Sequence, residues 1–129
     1  IDSSATPGTI VDVVALRCDY IEKHPADVAA LVKGYYKAIE YMKKNQTKAY
    51  AIMAKGVGGF LKDPKDFADA AKGVRFFDKP MNVAFLGTPE HPGASADLIK
   101  LGSQVWSQLG KLKMDLDYAT LIEPGFATK

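Results

Sequence analysis

Cysteine is almost missing from this sequence: Cys18 is the only one in 129 residues. That excludes an internal disulfide framework and any multi-cysteine metal site, and it leaves the redox compartment open. Histidine is nearly as scarce. His24 and His91 each stand beside a proline, far apart in the chain and without metal-pair spacing. Long apolar runs are lacking too, since no stretch free of Asp, Glu, Lys and Arg exceeds ten residues. A membrane-spanning helix needs about 20. An excess of one charge sign is also missing: 17 Lys+Arg face 15 Asp+Glu, a net +2 with no basic block, so nucleic acid is not an expected partner. The first residues carry no initiator Met, no charged n-region and no apolar h-region, so no targeting signal is expected in this chain. The expectation is that a signal was removed or that the chain begins inside a longer product. What is present is 47% hydrophobic and 25% charged residues, the proportions of one globular domain.

The β-branched run Thr9-Ile10-Val11-Asp12-Val13-Val14-Ala15-Leu16, after Pro7-Gly8, predicts a strand over 9–16. Helical signals follow. Pro25 suits a first helical position with Asp27 in the first turn. Val28, Leu31, Val32, Tyr35, Ile39 and Met42 then recur at helical spacing, with Lys33, Lys37, Glu40, Lys43 and Lys44 away from them. Asn45-Gln46-Thr47 breaks that helix and can cap a second one, ending before Gly56, Gly58 and Gly59. Asp63-Pro64 starts a third, with Phe67, Ala70 and Ala71 inside. Residues 74–80 read as extended or turn-like and 81–87 as a helical turn. A further helix over 95–110 has Leu98, Leu101, Val105 and Leu109 as its seam. Asp115 or Asp117 can cap a last turn before Pro124-Gly125. The reading is one segment, 1–129, with a strand at 9–16 and a helical region over 25–123, mostly helical with about five helices. One strand alone cannot make a sheet, because its N–H and C=O groups need partners. Those partners are expected from earlier sequence absent here, or from another copy of the chain, which suggests a fragment.

The order of elements carries a resemblance. Pro7-Gly8-Thr9-Ile10-Val11-Asp12-Val13-Val14-Ala15-Leu16-Arg17 leads into Asp19-Tyr20-Ile21-Glu22-Lys23-His24-Pro25. Next come 28–38, Tyr41-Met42-Lys43-Lys44-Asn45, Ala49-Tyr50-Ala51-Ile52-Met53-Ala54-Lys55 and Lys72-Gly73-Val74-Arg75-Phe76-Phe77-Asp78. Over about residues 7–126 this resembles the C-terminal part of the nitrate/sulfonate/taurine-type periplasmic solute-binding proteins of ABC importers, including those for thiamine-pyrimidine precursors. The resemblance implies an α/β ancestry, a two-lobed periplasmic-binding-protein fold roughly twice this length, and 9–16 as a hinge-type strand. It also implies a small-molecule ligand (an anion, a sulfonate or a pyrimidine precursor), an ABC permease as partner, and periplasmic or exported localisation. The missing N-terminal lobe would complete the cleft.

Among the residues, Arg75, Phe77, Asp78 and Asn82 are the most site-like set. A guanidinium binds a sulfonate or carboxylate in two places, an aromatic walls a pocket, and Asp or Asn orients the ligand. The plainer alternative makes Phe76 and Phe77 core anchors and Arg75–Asp78 a surface pair. Thr6, Pro7 and Gly8 could line a cleft or form a plain turn. Trp106 could stack on a ligand, but its spacing beside Val105 and Leu109 favours the core. Cys18 has no base near it in sequence and reads as a buried, inert thiol. Gly56-Val57-Gly58-Gly59 is no dinucleotide fingerprint, since Leu61 stands where the third glycine belongs. Asn45-Gln46-Thr47 matches a glycosylation acceptor as well as a helix cap. Lys37, Lys43, Lys44 and Lys48 read as a solvated face that could also help dock a permease.

No catalytic residues, metal ligands or cofactor emerge, and the expected function is solute binding and not catalysis. Two alternatives stand beside it. One is a free-standing helical interaction module that self-associates. The other is an enzyme like the thiamine-pyrimidine synthases, for which one cysteine and two scattered histidines are poor equipment.

Overall fold

Once past Arg17 nearly every local signal favours helix, and the computed structural model, which describes residues 5–6 and 8–128, is 64% helical. Seven α-helices follow in order among the described residues: α1 Cys18–Lys23, α2 Pro25–Lys44, α3 Gln46–Val57, α4 Pro64–Ala71, α5 Lys79–Leu86, α6 Ser95–Gln108 and α7 Tyr118–Leu121. Short 3-10 turns occupy Gly59–Leu61 and Pro124–Phe126.

The expected α/β two-lobed fold with a strand at 9–16 is overturned: the described residues contain no β-strand and no sheet. Residues 11–17 instead form an unbent run without helix or turn. The reason is the one that made a lone strand costly. A strand exists only against a partner, and every other apolar segment here is spaced for helix. The helix count also differs from five, because the extra turns at 18–23 and 118–121 are helical as well.

Helix starts follow their local chemistry. Pro25 opens α2, where its missing N–H costs nothing, with Asp27 in the first turn and Lys43 and Lys44 in the last. The Asp63 carboxylate accepts from the Lys65 N–H at 2.7 Å ahead of Pro64. Asn45 does not cap α3 with its side chain. Its Nδ2 donates back to the Tyr41 carbonyl, 3.1 Å, closing the end of α2 instead.

Helix α3 packs on α4 and α2, and the core lies between α3 and α4. Ala54, Phe67 and Ala71 are its buried members, flanked by Tyr50, Met53, Leu61 and Phe76. Small alanines let the two helices approach while Phe67 fills the space left, with the Tyr50 ring edge-on to it at 5.5 Å. Along α2 only Val28 and Ile39 are buried. Leu31 and Tyr35, expected on the same inward face, are exposed. The end of the chain returns to α2, where the Tyr36 hydroxyl donates to the Ala127 carbonyl at 3.0 Å.

Helices α5, α6 and α7 form a second cluster. Gly87 and Gly93 bring the two arms of the α5–α6 turn into backbone contact, with an isolated antiparallel bridge between Gly87 and Pro92. The Tyr118 hydroxyl donates to the Leu86 carbonyl and ties α7 to the end of α5. Of the expected seam of α6, Leu98 is half-buried, while Leu101, Val105 and Leu109 are exposed, as is Trp106 at 54%, which was expected in the core. The serine face turns inward instead, with Ser95 and Ser103 buried and the Ser103 Oγ accepting from the Leu116 N–H at 3.1 Å. A hydroxyl that satisfies a backbone donor can hold a face inward that apolar spacing alone assigns to solvent.

Candidate functional site

The site expected at Arg75, Phe77, Asp78 and Asn82 lies at the start of α5, where the chain arriving from α4 crosses α2. Asp78 is the helix cap: its Oδ1 accepts from the Met81 N–H at 3.1 Å. Its Oδ2 accepts from the Lys43 ammonium at 2.6 Å, so one carboxylate both starts α5 and pins it to α2. Asn82 lies one turn further along. Its Nδ2 donates to the Phe77 carbonyl at 3.2 Å and to the Asp78 carbonyl at 3.0 Å. Tyr35 of α2 donates its hydroxyl to the same Phe77 carbonyl at 2.9 Å. The Phe77 ring meets Phe85 edge-on, centroids 5.7 Å apart.

Phe77, Asp78 and Asn82 are thus brought together and half-buried, each with a structural partner. Arg75 is the exception. It is exposed, and no carboxylate among the described residues lies within ion-pair distance of it. The surface pair expected between Arg75 and Asp78 is replaced by Lys43–Asp78, with the guanidinium acting on Asp78 only through its field. Lys43 and Tyr35 were missing from the expected set. Both come from α2, remote in sequence, and no local signal marks them.

The electrostatics follow from these contacts. The Lys43 ammonium holds the Asp78 carboxyl below its ordinary 3.8, helped by the Met81 N–H and, more weakly, by Arg75. Burial raises the Tyr35 and Tyr36 hydroxyls above their ordinary 10.0, with the Asp78 charge adding to both. Because the folded carboxyl is depressed, Asp78 contributes stability that is complete above 3.8 and drains away as the pH falls from there toward its folded value. Asp78→Asn should therefore lower stability at neutral pH, and the gap from the parent should close in acid. Urea denaturation of both proteins from about pH 7 down to about pH 2 checks it; a gap independent of pH would mean that the charge contributes nothing.

The remaining candidates are dispersed. Thr6 is exposed and accepts from the Thr9 N–H at 3.2 Å, Gly8 has a positive φ, and Pro7 lies outside the described residues. Cys18 is exposed at the start of α1 and not buried as expected. His24 stacks on Tyr20 and lies 3.6 Å from the Asp27 carboxylate, while the His91 N–H closes a turn onto Thr88. Among the described residues no group of three His, Cys, Asp or Glu side chains could hold a metal ion, and no helix is long and apolar enough to cross a membrane. Open hollows lie elsewhere among the described residues, one of about 520 Å³ between residues 15–17, Tyr20 and α2 and one of about 420 Å³ between α6 and residues 115–118. Neither is lined by Arg75, Phe77, Asp78 or Asn82.

Compared with known proteins, the chain matches no family model, no curated protein and no solved structure.

Proposed function

We propose that this chain is a solute-binding component of an ABC importer, an exported binding protein and not an enzyme, which takes a small anionic or sulfonate-type solute at Arg75. The observation that carries the proposal is the unpaired Arg75 guanidinium beside a junction already held rigid. Lys43 neutralises Asp78, so the carboxylate that feels the Arg75 charge no longer opposes an incoming anion. Tyr35 and Asn82 fix the backbone at Phe77, and the Phe77 ring offers an apolar wall for the carbon end of a sulfonate. A guanidinium matches the geometry of two sulfonate oxygens, and such charge-assisted pairs are about twice as strong as neutral hydrogen bonds. The resemblance in segment order supplies the importer context. An ABC permease is the membrane partner in that context, and the exposed Lys37, Lys44 and Lys48 are available to it.

Calorimetric titration of the full chain with ethanesulfonate and with nitrate tests the proposal. Saturable binding is expected, weakened at least tenfold (about 1.4 kcal/mol) in Arg75→Ala and unchanged in Lys111→Ala. No binding of either anion, or equal affinity in Arg75→Ala, would overturn it.

A further inference from the structure

We infer that the turn after α3, residues 57–62, seats this protein on an anionic lipid surface, with the Phe60 ring entering the headgroup boundary and the lysines around it meeting the phosphates. Phe60 is the most exposed large apolar side chain among the described residues, at 89%, and Val57 close by is 63% exposed. The local structure holds the ring there. Gly58 and Gly59 both take positive φ, 68° and 57°, which turns the chain sharply at the end of α3. The Gly58 N–H donates to the Ala54 carbonyl at 2.9 Å, and the Leu61 N–H to the Gly58 carbonyl at 3.1 Å. Leu61 packs on the cluster of Ala54, Phe67 and Ala71, so the turn is anchored from within while its neighbour Phe60 faces water. A ring presented by an anchored turn loses little freedom when another phase takes it up.

Charge decides the occupant. Between Glu40 and Asp63 the chain holds five lysines, spread singly or in a pair, and no carboxylate; the rest carries 12 Lys+Arg against 15 Asp+Glu. Lys43 is held by Asp78. Lys44, Lys48, Lys55 and Lys62 are exposed, and no carboxylate among the described residues lies within ion-pair distance of them. Lys48, Ile52 and Lys55 stand at i, i+4 and i+7, an exposed stripe of α3 that leads to the turn. Asp63, next to Lys62, is occupied as the cap of α4. The protein is therefore basic around its apolar tip and net acidic elsewhere, which orients the tip toward a negative surface. Each lysine close to an anionic bilayer strengthens attachment about fivefold. A protein partner fits the tip less well, because a standard interface covers about 800 Å² on each side around an apolar centre, and one ring with one valine is too little to form it. A bilayer needs no matching groove: apolar side chains sink about 5–10 Å into the boundary, and lysines find phosphates in any arrangement. The inference stands whether or not Arg75 takes an anion.

Flotation of the full chain with vesicles of phosphatidylcholine containing about one-third phosphatidylglycerol should show saturable attachment, at least about tenfold weaker on phosphatidylcholine alone. Phe60→Ala should weaken attachment at least about tenfold, with helix content by circular dichroism unchanged, because the exposed ring adds little to the fold. Lys55→Glu combined with Lys62→Glu should weaken it by at least about tenfold as well. Leu101→Ser, on the exposed face of α6, should leave it unaltered. Phe60→Trp in a Trp106→Phe background gives a direct reading of insertion: its emission should move to the blue when anionic vesicles are added. No attachment to anionic vesicles, equal attachment to both vesicle types, indifference to Phe60→Ala, loss with Leu101→Ser, or an unshifted emission would each overturn the inference. Saturable binding to polyglutamate with none to vesicles would also overturn it, in favour of an acidic protein partner.

Discussion

Phe67→Ala is expected to destabilise the protein by about 3–5 kcal/mol, the usual cost of emptying a buried aromatic site. The effect is large because so little else is buried. Among the described residues only seven apolar side chains are buried, and Phe67 is the single aromatic in that set. It fills the space between α3 and α4 that Ala54 and Ala71 are too small to occupy, and it holds the Tyr50 ring. No other large side chain can move in, since Met53, Leu61 and Phe76 already pack on the cluster from their own positions. Against a typical total of about 5–15 kcal/mol, the loss is a large share of stability. Thermal unfolding followed by circular dichroism should show the midpoint falling by about 10 °C or more. A fall of less than about 2 °C would mean that the α3–α4 contact is not the centre of the fold.

Gly93→Ala is expected to cost about 2–3 kcal/mol through backbone overlap and not through lost contacts. A Cβ at position 93 would fall inside van der Waals contact of the Gly87 nitrogen and the Phe85 carbonyl, and neither is a flexible side chain that can step aside. The α5–α6 turn would have to open. That strains the hydrogen bonds from Thr88 N–H to the His91 carbonyl, 2.8 Å, and from Ala94 N–H to the Ala84 carbonyl, 3.1 Å. Gly102→Ala provides the contrast. Nothing lies within 4 Å of a Cβ there and the position is inside α6, so alanine should stabilise by about 0.5–1 kcal/mol. Opposite signs for the two substitutions in chemical denaturation would confirm the close approach; equal signs would refute it.

Helix starts were legible because their causes are local. Pro25 with Asp27, and Asp63 with Pro64, announce α2 and α4 from within a few residues, and both helices begin there. Faces were less legible. Apolar spacing in α6 points to Leu101, Val105 and Leu109, yet the helix turns Ser95 and Ser103 inward, and at Ser103 the hydroxyl accepts from the Leu116 N–H, a contact that depends on residues beyond the helix. The strand at 9–16 failed for a related reason. β-branched residues report fitness for a pleated, half-buried surface, and whether that surface exists is decided by a partner that the segment cannot encode. At the start of α5, Asp78 and Asn82 were recognisable from their positions around a helix N-terminus. Lys43 and Tyr35 were not, because their roles depend on α2 crossing that point.

The hydrogen bond between Tyr36 and Ala127 spans 91 residues, and its strength can be compared with what such a span costs. Closing a flexible loop of that length costs about 4 kcal/mol from the logarithmic length dependence alone. One hydrogen bond returns about 0.5–1.5 kcal/mol. The contact therefore cannot draw the ends of an unstructured chain together. It depends on the α2–α3, α3–α4 and α5–α6 contacts, which shorten the intervening chain, so the tail's docking on α2 is a consequence of the helical packing and not its cause.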